Sequence, residues 1–484
     1  MIKELRRVSI GILALFTALF VSLTIIQVFQ VDTLRVDPRN VRTLYDSYSA
    51  ERGSIIVGNT SIAESVPSDD VYTYQRKYEG GGLYAPITGY YSINQGMTGL
   101  EAVMNDQLSG RSNAQFFDQV LALVTGTNPR GASVKLTIDP KVQQVARDAL
   151  GDLAGAAIAF DPKTGRILAM VSTPSYDPNK LATHDTEAAA QTYQGLIDSS
   201  KAPLSNRAIA GTLYHPGSVF KLVVASAALD SGTVTLDSEF ANPSSLTLPH
   251  TTTDIHNAGE AKCGKAKTVT IQTALALSCN IPFAQIGALV GEKTLRDYAE
   301  RFGFGATIEV PMRATPSVFP SGMDEAQLML SSFGQYNVQV SPLQIAMVTA
   351  AIANHGTLMN PTVVDSVLAP DLTPLSTFEP RVFSTPISES TAQTMVSLMV
   401  NDVDHGVATN ARIKGVSVGG KTGTAENGDG RPYTLWFTGF APAEDPQVVV
   451  AVVIENGGGI GQQGRGNTLA APVARAIMEA VLKK

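Results

Sequence analysis

The chain is poor in the residues that build disulfide scaffolds and metal sites. Its 484 residues include two cysteines, Cys263 and Cys279, and six histidines. Two cysteines are too few for a disulfide scaffold, and they do not form a C-x-x-C pair. The histidines show no H-E-x-x-H motif or similar ligand spacing. We therefore expect neither a metal nor another cofactor.

Charged residues are also scarce, since Asp, Glu, Lys and Arg make up 16% of the chain. Acidic residues outnumber basic ones by 43 to 36, which gives a formal net charge of −7. The basic residues are scattered rather than clustered, so we expect no nucleic-acid partner. The length fits about two or three domains with a large buried core.

One long stretch lacks charge altogether. Val8 to Val31 contains no charged residue, and as a helix it would span ~36 Å, enough for a bilayer core of roughly 30 Å. The alternatives are a buried core helix and a cleaved signal peptide. The apolar run is longer than a typical signal-peptide core, however, and no A-x-A cleavage site follows Gln30. We predict a transmembrane anchor at 8–31 behind a cytoplasmic tail at 1–7.

Three short motifs follow one another along the chain: Ser218-Val219-Phe220-Lys221, Ser278-Cys279-Asn280 and Lys421-Thr422-Gly423. Each is weak alone, but in this order each supplies a different part of one acyl-transfer reaction. A serine attacks an acyl carbon only when a base takes its proton. Lys221 follows Ser218 at a spacing that places its amine beside the serine hydroxyl on a helix.

A lysine acts as a base only when it is neutral, which requires burial, a cationic neighbour, or both. The residues from Leu222 to Leu229 are apolar on nearly every helical face and predict a buried helix. Lys421 is a candidate cationic neighbour. The simpler alternatives are that Ser218 is a helix N-cap and that Lys221 is a surface lysine.

The other two motifs also suit a cleft. Ser278 and Asn280 alternate around Cys279, so in a loop or extended turn both side chains can face the same side. The amide of Asn280 offers a donor and an acceptor. Residues 421–424 would form a strand edge, where Gly423 leaves room for a substrate backbone. The alternatives are a polar helix terminus at 278–280 and an ordinary edge strand at 421–424.

The ordered motifs resemble those of penicillin-binding proteins and serine β-lactamases. Further landmarks resemble the class B penicillin-binding proteins, from about Arg52 to the C-terminus. They are Arg52-Gly53, Gly99-Leu100-Glu101, Leu136-Thr137-Ile138-Asp139, Asn206-Arg207-Ala208, Tyr214, Pro216-Gly217, Phe333-Gly334-Gln335, Ser341-Pro342-Leu343-Gln344 and Ala353-Asn354-His355-Gly356. The layout, with a short N-terminal module and no appended C-terminal repeats, is similar to that of the actinobacterial PbpA group.

This resemblance implies a mixed α/β fold. A penicillin-binding/serine β-lactamase-like transpeptidase domain would occupy 132–484, with an antiparallel sheet, helices on both faces and a helical subdomain. A small α+β non-catalytic domain at 32–131 and one transmembrane helix would precede it. The sequence itself predicts a linker at 126–131 and a helical stretch near 113–124.

Local patterns predict several elements of the catalytic region. Residues 141–153 show a helical stripe, and 156–160 with 166–171 give a hairpin signal. Residues 435–440 and 448–454 are strand candidates, and a last helix is expected from about Ala470 to Leu482. The resemblance implies that the early hairpin joins the late strands in one antiparallel sheet.

A glycine-rich segment near the C-terminus matches another motif. Gly459-Ile460-Gly461-Gln462-Gln463-Gly464 has the pattern G-x-G-x-x-G. A dinucleotide site would also need a second strand and an acidic residue about twenty positions on, and the sequence given ends first. We predict a glycine-rich loop near the cleft rather than a nucleotide site.

The family's chemistry, transferred to the matching residues, implies a role for each side chain. Ser218 would be the nucleophile and Lys221 the general base, with Ser278 as proton relay and Lys421 as a source of positive potential. The backbone N–H groups of Ser218 and Thr424 would form the oxyanion hole. The implied substrate-binding residues are Asn280, Thr422, Gly423 and Thr424.

The implied activity is that of a peptidoglycan D,D-transpeptidase in cell-wall synthesis, with a role in division. It would cross-link stem peptides through a serine acyl-enzyme and be inhibited by β-lactam antibiotics. The implied partners are stem peptides, the cell membrane and a membrane glycosyltransferase of the division or elongation machinery. The substrate places the catalytic domain outside the cytoplasm. The positive-inside rule does not decide this, because Lys3, Arg6 and Arg7 precede the apolar segment and Arg35, Arg39 and Arg42 follow it.

Related functions share the same motifs. A class A β-lactamase needs a deacylating glutamate in an E-x-x-L-N segment, and the candidate Glu325-Ala326-Gln327-Leu328-Met329 lacks the asparagine. A bifunctional protein would need a glycosyltransferase domain, for which the residues before the linker are too few. A D,D-carboxypeptidase and a non-enzymatic penicillin sensor or scaffold remain as alternatives.

We also predict a disulfide between Cys263 and Cys279. Both cysteines lie in the part of the chain expected outside the cytoplasm, where disulfides persist. No other cysteine competes for either of them. The alternative is a pair of buried free thiols.

Overall fold

A computed structural model describes residues 2–30, 48–115, 130–258 and 261–483. Most of the helical stretch predicted near 113–124, and most of the linker predicted at 126–131, lies outside these residues. The described part of that stretch, Asn113–Gln115, is a single 3₁₀ turn.

The N-terminal segment forms a long apolar helix. It runs over Ile2–Thr24 and continues as a π-helical turn, Ile25–Phe29. The most apolar 18-residue window of Lys3–Phe29 has a mean hydropathy of 2.4 and is not buried against the described remainder of the chain. Ser9, Thr17 and Thr24 donate their hydroxyls to carbonyls four residues earlier, which suits polar groups in an apolar environment. The helix is therefore long and apolar enough to cross a membrane.

A six-stranded sheet joins the N-terminal residues to the catalytic region. Its strands, in spatial order, are Pro374–Thr377, Val364–Leu368, Ser133–Leu136, Ile55–Val57, Thr60–Pro67 and Tyr74–Tyr78. Ile55–Val57 and Ser133–Leu136 pair in parallel, which the long connection between them permits. The boundary predicted at 131/132 thus falls beside a strand at the centre of a shared sheet.

Glu101 ties the N-terminal residues together from inside. It is fully buried, and its carboxylate accepts hydrogen bonds from Arg52 Nε at 2.6 Å and Arg76 Nε at 2.7 Å. Tyr78 donates its hydroxyl to the same carboxylate at 3.2 Å. Burial raises the pKa of Glu101, but Arg76 and Arg52 outweigh burial and hold it below its usual value. The landmarks Arg52 and Glu101 are thus structural partners.

The central sheet of the catalytic region has five antiparallel strands. Their order is Gly419–Ala425, Thr434–Ala441, Val448–Ile454, Gly155–Phe160 and Ile167–Thr173. The prediction that the early hairpin joins the late strands is confirmed. The strand that contains Lys421, Gly419–Ala425, lies at an edge of this sheet, as predicted.

Helices cover both faces of this sheet, and its three inner strands are therefore buried along their whole length. Along Val448–Ile454, alternate side chains enter two different cores, because successive residues of a strand point to opposite faces. Pro342–Ala353 packs on one face, while Pro140–Leu150 and Gly466–Leu482 pack on the other. The predicted helix at 141–153 is therefore confirmed, and it ends where Gly151 adopts a φ of 56°.

The last helix begins earlier than predicted, at Gly466 rather than Ala470. The glycine-rich segment before it forms two short 3₁₀ turns, Asn456–Gly459 and Gly461–Gln463.

The remaining elements complete the helical subdomain and the surface. The helices are Ala85–Thr88, Gly99–Val103, Asn105–Leu108, Asn179–Ala182, Thr186–Ile197, Lys221–Asp230, Ile271–Ala276, Asn280–Val290, Glu292–Arg301, Glu325–Ser331 and Glu389–His405. Four two-stranded ribbons pair Tyr91–Ser92 with Gly96–Met97, Glu239–Ala241 with Thr268–Thr270, Ser245–Thr247 with Asp254–His256, and Leu358–Met359 with Val382–Ser384. Three more 3₁₀ turns are Gly81–Leu83, Gly217–Phe220 and Thr409–Ala411.

Candidate active site

Ser218 and Lys221 lie on consecutive turns of one helical segment. Gly217–Phe220 is a 3₁₀ turn that leads into the helix Lys221–Asp230. The first eight residues of that helix are buried, as expected for a helix that is apolar all round. Lys221 Nζ lies 3.0 Å from Ser218 Oγ. The segment therefore holds a partly exposed hydroxyl next to a fully buried amine.

The contacts of Lys221 match those of a neutral amine. Its Nζ lies 2.7 Å from the carbonyl oxygen of Ser278 and 2.8 Å from Oδ1 of Asn280, both of which can only accept. A neutral amine has two hydrogens, which these acceptors use. Its lone pair then faces Ser218 Oγ, the one neighbour that can itself donate. Burial lowers the pKa of Lys221 well below its usual value, the nearby charge of Lys421 lowers it further, and the carboxylate of Asp402 opposes the shift.

The second motif lies in the turn between two helices. Ile271–Ala276 ends just before it, and Asn280 begins the helix Asn280–Val290. Ser278 has a φ of 57°, a left-handed conformation that is uncommon for a non-glycine residue. This turn lets the Ser278 carbonyl face Lys221 while its hydroxyl faces Lys421.

Two further contacts fix this turn. Cys279 forms a disulfide with Cys263, with their Cα atoms 5.7 Å apart, so the structure contains the predicted bond. Asn257, which the sequence analysis did not identify, accepts hydrogen bonds from the backbone N–H groups of Asn280 and Ile281 at 2.9 and 3.0 Å. Asn257 thereby satisfies donors at the helix N-terminus that would otherwise lack partners.

Lys421 connects the edge strand to the second motif. Its Nζ lies 2.9 Å from Ser278 Oγ and 3.3 Å from the carbonyl oxygen of Thr422. Its third partner is Asp402 Oδ2 at 3.2 Å, and both side chains are fully buried. An ammonium group at this position donates to the first two atoms and forms an ion pair with the carboxylate. Burial lowers the pKa of Lys421, and the carboxylate of Asp402 opposes that shift.

Sequence reasoning missed Asp402. It lies in the last turn of Glu389–His405, outside all three motifs, and one acidic residue in a helix gives no signal in a single sequence. Burial raises the pKa of Asp402 above its usual value, and Lys421 and the backbone N–H groups of Val407 and Ala408 offset only part of that shift.

Glycines let the nucleophile turn pack tightly against its neighbours. A Cβ on Gly423 would lie 2.9 Å from Trp436 Cβ and 3.0 Å from the Pro216 carbonyl oxygen. Gly423 therefore allows this close packing, in addition to the room for a substrate backbone that the sequence predicted. A Cβ on Gly334, whose φ is 80°, would lie 2.0 Å from the Gly217 carbonyl oxygen. The family landmark at 333–335 therefore supports the nucleophile directly.

The segment that leads to Ser218 is held in place by hydrogen bonds with two strands of the central sheet. Glu455 accepts hydrogen bonds from Arg207 Nε at 2.9 Å and from the Tyr214 hydroxyl at 2.6 Å. Trp436 Nε1 donates to the His215 carbonyl at 3.0 Å. The landmarks Arg207 and Tyr214 are thus anchored to the end of the strand Val448–Ile454.

The exposed rim of the site carries hydroxyl and amide groups. Ser218, Ser278, Asn280 and Thr424 are partly accessible, whereas Lys221 and Lys421 beneath them are completely buried. Thr422 is nearly buried, and Thr424 Oγ1 accepts from Gly466 N at 3.4 Å. Within the described ranges, no group of three or more His, Cys, Asp or Glu side chains could hold a metal ion.

The fold and this constellation define a serine acyl-transfer enzyme of the penicillin-binding type, and comparison with known proteins agrees. The family model "Penicillin binding protein transpeptidase domain" matches residues 155–479, and "Penicillin binding protein A dimerisation domain" matches 52–134. The chain belongs to the penicillin-binding protein transpeptidase family.

Individual relatives are similar over nearly the whole chain. The peptidoglycan D,D-transpeptidase PbpA of Mycolicibacterium smegmatis is 41% identical over 99% of both chains. Penicillin-binding protein A from M. tuberculosis, as a ceftriaxone acyl-enzyme complex, is 39% identical with a TM-score of 0.87, covering 90% of this chain and 100% of that one. Its penicillin G acyl-enzyme complex gives 38% identity and a TM-score of 0.84 at the same coverage.

Proposed function

We infer that the protein is a peptidoglycan D,D-transpeptidase that cross-links stem peptides through a serine acyl-enzyme and is acylated by β-lactams. One observation carries this inference: two buried lysines with different hydrogen-bond partners meet at two hydroxyls, Ser218 and Ser278. Lys221 is placed to accept the proton of Ser218, and Lys421 places a positive charge beside the Ser278 hydroxyl. The relative named peptidoglycan D,D-transpeptidase PbpA, which is similar over nearly the whole chain, supports the same activity, as do the acyl-enzyme structures of penicillin-binding protein A.

In the acylation step, Lys221 takes the proton of Ser218 as Oγ attacks the carbonyl carbon of the penultimate D-alanine. The negative charge that develops on the carbonyl oxygen is stabilised by the backbone N–H groups of Ser218 and Thr424, each such donor being worth roughly 3 kcal/mol. The C–N bond to the terminal D-alanine then breaks. Ser278 gives its proton to the leaving amine and recovers one from Lys221.

In the second step, an acceptor amine attacks the acyl-enzyme. The amine loses its proton to the same relay, a new amide bond forms as the ester bond to Ser218 Oγ breaks, and Ser218 Oγ takes up a proton from Lys221. The side-chain amide of Asn280 holds the donor peptide, because one of its N–H groups remains free beside the bond to the His256 carbonyl. Thr422 and Thr424 bind the terminal carboxylate, and Gly423 keeps the strand edge open.

The experiment that tests this function is active-site mapping with benzylpenicillin. Intact-mass analysis should show one adduct on the full-length protein, absent in Ser218→Ala. Peptide mapping should place it on Ser218. An adduct that persists in Ser218→Ala would contradict the assignment.

Two alternatives concern the fate of the acyl-enzyme. A D,D-carboxypeptidase transfers it to water, and a sensor or scaffold does not turn it over. Incubation with a pentapeptide donor and a labelled amine acceptor separates the three, since only a transpeptidase yields the labelled dimer in excess over the hydrolysed tetrapeptide. The complete set of polar contacts around Ser218 supports turnover.

We further propose that residues 8–31 anchor the protein in the cell membrane, with 1–7 in the cytoplasm and the catalytic domain outside. The exposed apolar helix supports the anchor, and the disulfide supports an oxidising compartment.

We divide the soluble part into a non-catalytic domain at 32–131 and a transpeptidase domain at 132–484. In this position the protein would work with a membrane glycosyltransferase of the division or elongation machinery.

A further inference from the structure

We propose that Asp402 is a positioning residue for acyl transfer: it fixes Lys421 against Ser278 as a charged group and so maintains the neutral form of Lys221. This proposal rests on the roles proposed above for the two lysines. Asp402 does not touch the substrate position. It acts through Lys421, whose Nζ lies 3.2 Å from its Oδ2.

The orientation of the carboxylate is fixed by the backbone. Oδ1 of Asp402 accepts hydrogen bonds from Val407 N at 3.0 Å and Ala408 N at 3.2 Å. These two donors orient the side chain so that Oδ2 faces Lys421. A Cβ on Gly406 would lie 2.7 Å from Oδ1, so this turn closes tightly around the carboxylate.

The same turn also contacts the segment that leads to the second motif. Val407 N donates to the Ala276 carbonyl at 3.0 Å as well as to Asp402, and Ala276 ends the helix just before Ser278. The Asp402 turn therefore holds both partners of the Lys421–Ser278 contact, one through its carboxylate and the other through its backbone.

Charge balance explains why an acidic residue is needed here. Lys221, Lys421 and Asp402 are all fully buried. A charged Lys421 without a counter-charge would be costly at this depth, because desolvation disfavours an isolated ion. When Asp402 is ionised and Lys421 is protonated, the two charges cancel. Lys221 is then the buried lysine without a counter-charge, and it is the one that must lose its proton.

The other charged groups around the helix Glu389–His405 do not replace Asp402. From the helix Lys221–Asp230, Lys221 and Asp230 face it at opposite ends. Arg412, beyond the turn Thr409–Ala411, donates to the carbonyls of Val403 and Asp404. The packed segments Ile271–Ala276 and Pro342–Ala353 carry no charged residue.

Asp402→Asn is the informative variant. Oδ1 still accepts from the two backbone donors, so the new NH₂ group must face Lys421, and two donors then meet. Lys421 relieves this conflict by losing its proton. Lys221 then loses both the charge of Lys421, which lowers its pKa, and the charge of Asp402, which raises it. The effect of Lys421 is the larger, so Lys221 gains affinity for a proton and is a neutral base only at higher pH.

The test measures acylation of full-length protein in detergent by a fluorescent penicillin between pH 5.5 and 10. For Asp402→Asn we expect the ascending limb to move up by about one pH unit, with an approximately tenfold loss at pH 7 that narrows at high pH. Asp230→Asn is the matched control. Its carboxylate also caps backbone and hydroxyl donors, at Ser388, but pairs with no lysine, and its pH limb should not move.

Two results would overturn the proposal. One is an equal loss of acylation rate at every pH, which is expected if Asp402 has only a structural role. The other is an acylation rate that does not differ from that of the wild-type protein. Failure of the wild-type protein to be acylated would instead contradict the proposed function. If Asp402→Asn does not fold, melting temperatures of Lys421→Met and Lys421→Met/Asp402→Asn decide. The double variant should melt higher, because the single one leaves a buried unpaired carboxylate. If the double variant melts no higher than Lys421→Met, the charged pair of Lys421 and Asp402 is refuted.

Discussion

Lys421 Nζ lies 2.9 Å from Ser278 Oγ, although 143 positions separate these residues in the chain. The contact joins an edge strand of the central sheet to a turn of the helical subdomain. On the other side of that turn, Lys221 Nζ lies 2.7 Å from the carbonyl oxygen of Ser278. One residue in a left-handed conformation therefore touches both lysines, each through a different group.

Lys221→Arg should be nearly inactive in acylation, because a guanidinium cannot accept the proton of Ser218. In the proposed mechanism the base is the neutral amine, and burial lowers the pKa of Lys221. The acylation rate should therefore rise with pH through a limb well below the ~10.4 of free lysine. Stopped-flow acylation across pH measures both effects. Lys293→Arg, at a side chain that is 90% exposed, should behave like wild type, and retained acylation in Lys221→Arg would refute the role.

Gly334→Ala should impair acylation by displacing the nucleophile turn. The new Cβ would lie 2.0 Å from the Gly217 carbonyl oxygen, and the residue would keep a φ near 80°. Overpacking of this kind costs about 1–3 kcal/mol. Gly322→Ala has a similar φ of 69° with nothing within 4 Å, so it isolates the backbone strain. Penicillin acylation and melting temperature should both fall further for Gly334→Ala; equal effects would mean that the close contact is unimportant.

Glu101→Gln should destabilise the protein by about 3–5 kcal/mol, because it leaves Arg52 and Arg76 buried without a counter-charge. The folded pKa of Glu101 lies below its unfolded value. Its stabilisation is therefore fully present above the unfolded pKa of about 4.3 and is lost progressively as pH falls from there through the lower folded pKa. Denaturant unfolding of both proteins at pH 7 and pH 4 measures this. Glu51→Gln, which breaks an exposed pair with Arg130, should cost less than about 1 kcal/mol.

Reduction of the Cys263–Cys279 disulfide should destabilise the protein. The bond closes a loop with a sequence separation of 16, and in the chain-entropy model a loop of about that size contributes roughly 3 kcal/mol. Unfolding with and without reductant measures the difference, which should vanish in Cys263→Ser/Cys279→Ser. Alkylation of the unreduced, denatured protein should add no carbamidomethyl group, and two additions would show that no bond exists.

Removal of the N-terminal helix should release the protein from the membrane without loss of penicillin binding. Full-length protein should pellet with membranes, whereas a chain that starts near Asp32 should remain in the supernatant, since the catalytic residues do not belong to the helix. Sedimentation and fluorescent-penicillin labelling test both parts. A mature N-terminus just after Gln30 would identify a signal peptide instead.

Several elements were predictable because their signals are local. The helix at Pro140–Leu150 and the strands Thr434–Ala441 and Val448–Ile454 follow directly from periodicity, within a few residues. The start of the last helix was placed too late, because Pro472 and the preceding glycines obscure a helix that begins at Gly466. Pairing of the early hairpin with the late strands was implied only by the family resemblance.

The sequence by itself identified the candidate reactive groups, since the ordered motifs include Ser218, Lys221, Ser278 and Lys421 without any coordinates. It could not identify Asp402 or Asn257, because neither has a fixed spacing to a motif. Only the tertiary structure brings them into contact, through a helix end and a ribbon that pack behind the cleft. The charge state of a buried lysine depends on what surrounds it in space. The chain order therefore indicates the candidate reactive groups, and the packing determines that Lys421, and not Lys221, forms an ion pair with Asp402.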